Sequence, residues 1–271
     1  MQLAIRPMAP ADLDAAERIS DAAYGDVEPS FGHRSAAGRE RWLRRTGHLL
    51  ATDPGGCVVA VAGDEVVGFA VSFRRETTWF LASYAVRLDL QGQGIGRQLM
   101  EAASSYGVDC PRAMLSASAD PKAEQRYRAA GFTLVPQWRF AGTARVEDGS
   151  LASGTVDLDA LDRQVRGSGH GPDHAILAAQ FRLVTTDGGY AYLDEDGTPA
   201  VLCAHDDDTA RSLLRNALAT GSAPTVAHVT DANPWARAVA EEAGLVAQPS
   251  GSLAVRGMEP PAPYLHQGAL L

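Results

Sequence analysis

The chain of 271 residues is longer than most single domains, and its 45% hydrophobic content allows one large core or two smaller ones; two domains suit the length better. A net charge of −9 and a pI near 5.2 exclude a general nucleic-acid footprint, since the densest basic stretch, Arg39 to Arg45, is broken by Glu40, Trp42 and Leu43. Cys57, Cys110 and Cys203 are odd in number and form no C-x-x-C pair, which excludes a disulfide framework or a zinc ribbon. With no leader pattern and no apolar run of roughly 18 residues, a soluble cytoplasmic protein with no membrane partner is expected.

Leu3 to Ile5 reads as a short strand closed by Arg6-Pro7. A helix is predicted over Asp12 to Tyr24, stopped by Gly25, then a polar loop over 26–35 and a second helix over Arg39 to Leu50. After the breaker Asp53-Pro54-Gly55-Gly56, Cys57 to Ala62 and Glu65 to Phe73 form a hairpin around Gly63-Asp64, and Trp79 to Arg87 a third strand. A helix over Gly96 to Tyr106, a strand over Ala113 to Ser118, a helix opened by Asp120-Pro121 and ended by Gly131, and a strand over Leu134 to Thr143 follow. The glycine-rich stretch 145–171 holds a short helix, Asp157 to Val165, and reads as a boundary region. Beyond it come helices over Asp173 to Gln180, Thr209 to Leu218 and Trp235 to Ala243, a hairpin of Tyr190 to Leu193 with Pro199 to Ala204, and a strand over Thr225 to Val229.

The most informative segment is Gln91-Gly92-Gln93-Gly94-Ile95-Gly96-Arg97, set between a strand and a helix. Three glycines at alternate positions let successive N–H groups converge without Cβ obstruction, with the positive end of the helix dipole behind them, which suits a pyrophosphate. A dinucleotide turn needs a third glycine where Arg97 stands, and a Walker loop needs Gly-Lys-Ser/Thr where Gly96-Arg97-Gln98 stands. The segment does match Q/R-x-x-G-x-G/A. Together with Tyr84-Ala85-Val86 and the motif Asp120-x-x-Ala123-x-x-x-Tyr127-x-x-x-Gly131-Phe132, it resembles the GCN5-related N-acetyltransferase (GNAT) family over residues 1–143.

The resemblance implies an acetyl-CoA-dependent N-acetyltransferase acting on a primary amine of a small molecule. It implies that the strand before the turn splays at a bulge. The Tyr84 N–H then polarises the thioester carbonyl, and Ala85 and Val86 take the pantetheine arm. Gln91, Gly92, Gln93, Gly94, Ile95, Gly96 and Arg97, with Asp120, would hold the rest of the cofactor, and Tyr127 would protonate the departing thiolate. Acetyl-CoA is the expected cosubstrate, and no metal is expected. Where some members carry a strand glutamate this chain has Phe80 and Leu81; Glu76, Asp26 and Glu28 are weak candidates for the base, and deprotonation through water is expected. The missing carboxylate motivates an alternative, an acyl-CoA-binding sensor or pseudoenzyme without turnover.

The second half repeats the first in decayed form. Asp120-Pro121 to Gly131 corresponds to Asn233-Pro234 to Gly244, and Gly96 to Met100 corresponds to Ala210 to Leu214. The glycine turn falls on His205-Asp206-Asp207-Asp208-Thr209, whose carboxylates would repel a pyrophosphate, with Asp208 expected as a helix N-cap. The expected fold is α/β (α+β): two GNAT-like domains, each a mixed, mostly antiparallel sheet flanked by helices. They comprise a catalytic domain at 1–145, a linker at 146–170 and a degenerate domain at 171–271. His170 and His174 stand four apart, but Gly171-Pro172 argues against a metal pair on one helix, and His33 and His48 show no partner. Asp21, Asp26 and Glu28 hint at a cationic acceptor, diluted by Arg18, Arg34 and Arg39; monomer and homodimer both stay open.

Overall fold

A computed structural model describes residues 3–27 and 32–271, the side chains of 26 and 27 excepted. The chain divides into two compact units, residues 1–115 and 116–271. In the first, β1 (Leu3–Pro7), β2 (Cys57–Ala62), β3 (Glu65–Arg75), β4 (Thr78–Val86) and β5 (Arg112–Ala117) lie side by side in that order. Neighbours are antiparallel except β4 and β5, which run parallel. The helices are α1 (Leu13–Val27), α2 (Ala36–Thr52) and α3 (Ile95–Ser105). Strand β3 is buried on both faces because both are covered. A Cβ at Gly68 would meet Leu99 of α3, whereas the next residue, Phe69, meets Trp42 of α2 edge-on at 5.7 Å, and consecutive strand residues point oppositely. Trp79 ties its own face down through an indole N–H donated to the Ala103 carbonyl of α3 at 3.1 Å.

Helix α1 does not stop at Gly25 as the sequence suggests but runs to Val27, and α2 starts at Ala36 with Ser35 as its cap. A glycine inside a helix costs only about 1 kcal/mol, less than the packing of one turn recovers.

The second unit holds α4 (Pro121–Ala129), β6 (Thr133–Ala141), α5 (Leu158–Arg166), α6 (Asp173–Gln180), β7 (Arg182–Thr186), β8 (Gly189–Leu193) and β9 (Pro199–Ala204). It continues with α7 (Asp207–Thr220), β10 (Val226–Val229), α8 (Pro234–Glu242), β11 (Val246–Arg256) and β12 (Tyr264–Leu265). β6 pairs antiparallel with β11 on one side and β10 on the other, and β12-β9-β8-β7 is a separate antiparallel sheet. Leu213, Leu214 and Ala217 of α7 and Trp235, Val239 and Ala240 of α8 close one core with Phe140, Leu193 and Leu202. Mostly antiparallel sheets flanked by helices are the class read from the sequence. β7, β11 and β12 are additions. β11 is masked in the sequence by Pro249-Ser250-Gly251, where the strand bulges between Pro249 and Ser252 and Gly251 takes φ +67°.

Candidate active site

In the first unit β4 pairs with β5 only from Thr78 opposite Arg112 to Leu81 opposite Leu115, then runs on to Val86 with β3 alone beside it. On the β3 side Ser72 faces Leu81 and Val71 faces Ser83, so Ala82 is an extra residue and β4 bulges there. Past the bulge, the edge of Ser83 to Val86 that faces away from β3 has no strand beside it within this unit. The Tyr24 hydroxyl of α1 donates to the Tyr84 carbonyl at 3.2 Å and pins the splayed segment from the helix side.

A 3-10 turn, Leu88–Leu90, follows, and the Gln91 side-chain amide donates back to the Val86 carbonyl at 3.2 Å, fixing the turn to the strand end. Gly92 and Gly94 both take φ +82°, which a Cβ disfavours, and neither has an atom within 4 Å of where a Cβ would stand. Backbone conformation, not crowding, therefore requires glycine, and the space in front stays open. Gly94 is the N-cap of α3 and supplies no side-chain acceptor; the first helical bond is Gln98 N–H to the Gly94 carbonyl at 3.3 Å. The N–H groups of Ile95, Gly96 and Arg97 thus end the helix without an intrahelical carbonyl, at its positive pole. Ile95 is in the core with Leu99 and Ala103 and offers only its backbone, while the Arg97 guanidinium is exposed and only 4.0 Å from Glu101.

The structure brings residues 84–97 together in the first unit, and Asp120 and Tyr127 belong to the second. Asp120 caps α4, accepting the Lys122 N–H at 2.9 Å. Tyr127 is buried on α4, edge-on to Phe132 at 6.3 Å. The candidate bases gain no support. Glu76 is exposed in the β3–β4 turn at φ +51°, eight residues and roughly 25 Å of extended strand from Tyr84. Glu28 and the Asp26 side chain lie outside the described residues.

The counterpart turn in the second unit is built differently. The N-cap of α7 is Asp206, not Asp208 as expected, with its carboxylate accepting the Thr209 N–H at 2.8 Å; this bond holds its pKa low. Extended backbone at Asp206 (φ −148°, ψ 167°) aims the carboxylate at the helix end, which Asp208, inside the first turn, cannot do. Helix α7 carries its own anion where α3 leaves the position open.

His33 bonds Asp21 at 2.9 Å, so it has the partner that sequence does not show. The helix break at Gly171-Pro172 does not separate His170 and His174; with Asp162 they converge until all three ligand atoms lie within 4.8 Å. Asp162 accepts His170 Nδ1 at 2.7 Å and the Tyr190 hydroxyl at 2.6 Å, with His174 Nε2 at 3.2 Å. The far nitrogen of His170 faces the Arg166 guanidinium at 3.1 Å. Asp162 and Arg166 already balance each other's charge across a neutral imidazole, and a divalent ion there would leave two uncompensated positive charges in a dry interior.

Residues 17–132 match the family model described as Acetyltransferase (GNAT) family. No curated protein matches the chain. Among solved structures, a Pyrococcus horikoshii protein assigned as an acetyltransferase superposes with a TM-score of 0.77 at 18% identity, over 95% of this chain and 90% of that one. A GCN5-related N-acetyltransferase from Kribbella flavida gives 0.60 at 20% identity, over 94% of this chain and 72% of the other. One from Sphaerobacter thermophilus gives 0.59 at 16%, over 94% and 95%. These likenesses establish the fold over nearly the whole chain. Residues 17–132, the stretch that contains the splayed strand and the open glycine turn, thus carry the likeness to the Acetyltransferase (GNAT) family, and the solved structures extend the fold over the rest of the chain.

Proposed function

We propose that this protein transfers an acetyl group from acetyl-CoA to a primary amine of a small molecule. The observation that carries the reading is the uncapped start of α3, where two left-handed glycines and three N–H groups without intrahelical partners face open space. In an acidic protein, such a local cradle is how a doubly charged pyrophosphate is held. In this reading Gln91 to Arg97 hold the pyrophosphate, Asp120 heads the helix completing the cofactor site, and the unpaired edge at Ala85 and Val86 receives the pantetheine. The Tyr84 N–H stabilises the oxyanion. The amine nitrogen forms the new C–N bond as the thioester C–S bond breaks; the amine proton leaves through water, and the thiolate takes a proton from Tyr127. Residues 1–145 form the working domain, 146–170 the linker and 171–271 a degenerate domain whose cradle Asp206 fills. The cytoplasm suits reduced thiols, and among the described residues no helix is long and apolar enough to cross a membrane.

Titration calorimetry with acetyl-CoA is expected to give one site per chain, and Gly94→Asp, which a left-handed φ tolerates, is expected to weaken it at least tenfold by like-charge repulsion. Unchanged affinity in that variant overturns the reading. A free-thiol assay across an amine panel tests turnover, and binding without turnover across the panel favours the sensor alternative.

A further inference from the structure

The side of the first unit that carries Tyr24 and Trp42 is dense in charge. Because the Tyr24 hydroxyl bonds the Tyr84 carbonyl, this cluster borders the part of β4 assigned to the thioester. Every acid on α1 with a described side chain is engaged. Asp14 pairs with Arg39; Glu17 takes Arg39 at 3.3 Å and Arg34 at 3.4 Å. Asp21 takes the Arg34 N–H at 2.7 Å, His33 at 2.9 Å and the Arg34 guanidinium at 3.6 Å. Arg34 also reaches Ser20 Oγ at 2.8 Å and lies over the Trp42 ring.

Among the described residues of these two helices, one part-buried cation is left over. Arg45 follows Trp42 by one turn of α2 and shares its inward stripe with Thr46 and Leu49, half-buried, with no hydrogen bond or ion pair to any described residue. The described titratable groups around it are the Arg34 guanidinium and the Tyr24 phenol, neither of them an anion at neutral pH. Burial first, and then the charge on Arg34, push Arg45 down to about 10, so it stays a cation. A part-buried cation beside a second cation calls for an anion, and a carboxylate presents two oxygens to the guanidinium fork. Of the acids behind the sequence hint of a cationic acceptor, Asp21 is spent on Arg34 and His33, and the unspent part-buried charge among the described residues is positive.

We infer that Arg45 anchors a carboxylate on the acceptor, so that the preferred acceptor is an amine bearing a carboxylate, as an amino acid does; this rests on the acetyl-transfer reading above. Calorimetric titration of the full chain, with and without CoA, with glycine, L-alanine, L-phenylalanine and L-glutamate against their primary amides reads the preference directly. At least one acid is expected to bind tenfold or more better than its amide. Arg45→Gln is expected to remove that difference and Arg45→Lys to keep part of it, with melting curves reporting that each is folded. Equal binding of acids and amides by the wild type, no binding of any acid, or a preference that survives Arg45→Gln overturns the inference. The acetyl-CoA titration of Gly94→Asp reports on the donor site alone, so either reading can fail without the other.

Discussion

Tyr84 is assigned a task through its backbone and Tyr127 through its hydroxyl, and this difference decides which substitutions are informative. Tyr127→Phe removes one oxygen from a buried ring whose edge-on contact with Phe132 survives. Losing a general acid is expected to lower kcat by roughly 10²- to 10³-fold while KM for acetyl-CoA stays within about twofold. A kcat within threefold of wild type returns Tyr127 to the role of a core aromatic. Tyr84→Phe keeps the N–H and is expected to leave kcat nearly unchanged. At this scale the sequence is legible where function depends on backbone conformation, since glycine spacing records φ directly at Gly92 and Gly94. It is illegible where function depends on which charges remain unpaired. Nothing in the order of residues 14–45 says that Arg34 and Arg39 engage Asp14, Glu17 and Asp21 and that Arg45 has no partner among the described residues.

Helices α4 and α8, matched in the sequence reading, share more than their spacing. α4 and α8 are each nine residues long with Pro at the start, and both end on a left-handed glycine, Gly131 at φ +83° and Gly244 at φ +82°. In both, the following residue donates back to a carbonyl five positions earlier, Phe132 to Tyr127 and Leu245 to Ala240, each at 3.0 Å. That part of the correspondence is legible in the sequence because local hydrogen bonding fixes it. The N-termini diverge: Asp120 caps its helix, whereas Asn233 turns away to take the Tyr264 N–H at 2.9 Å and the Trp235 indole at 3.0 Å. Likewise Asp206 is a cap where α3 has none. Asp206→Ala is expected to destabilise the second unit by about 1 kcal/mol, a shift of a few degrees in Tm, without adding a second acetyl-CoA site. Two-site binding by that variant would show that the carboxylate alone kept the cradle closed. β7, β11 and β12 are the strands that sequence periodicity misses, β11 because a bulge interrupts its alternation, β7 because alternation over five residues is short, and β12 because two residues carry no period.

At the scale of the whole molecule the buried and half-buried histidines of the second unit set how stability responds to acid. His228 Nδ1 bonds the Gln137 side-chain oxygen at 3.2 Å, the Gln137 amide meets His266 Nε2 at 2.7 Å, and the two rings lie 4.4 Å apart. With the glutamine oriented this way His266 accepts through Nε2 and is wired for the neutral form, whereas His228 donates through Nδ1 and is kept neutral by burial. Burial lowers His228 to about 4 and holds His266 and His170 down as well. The unfolded chain, with histidine near 6.5, therefore binds more protons, so this stability is complete above roughly pH 6.5 and is lost as pH falls toward 4. Asp162 adds a loss of the same sign at lower pH, because its histidine and arginine neighbours hold it below the usual carboxylate range. Easing of the −9 net charge toward the pI acts the other way, but weakly, through dispersed surface groups. Urea unfolding at pH 7, 6 and 5 is expected to show stability falling by about 2 kcal/mol from His228 alone. His228 sits at φ +59°, a conformation asparagine tolerates. His228→Asn is thus expected to keep the backbone and an amide donor for Gln137 while flattening that part of the pH slope. A wild-type stability that does not change over this range, or an equal slope in the variant, would remove His228 as the acid-sensitive group.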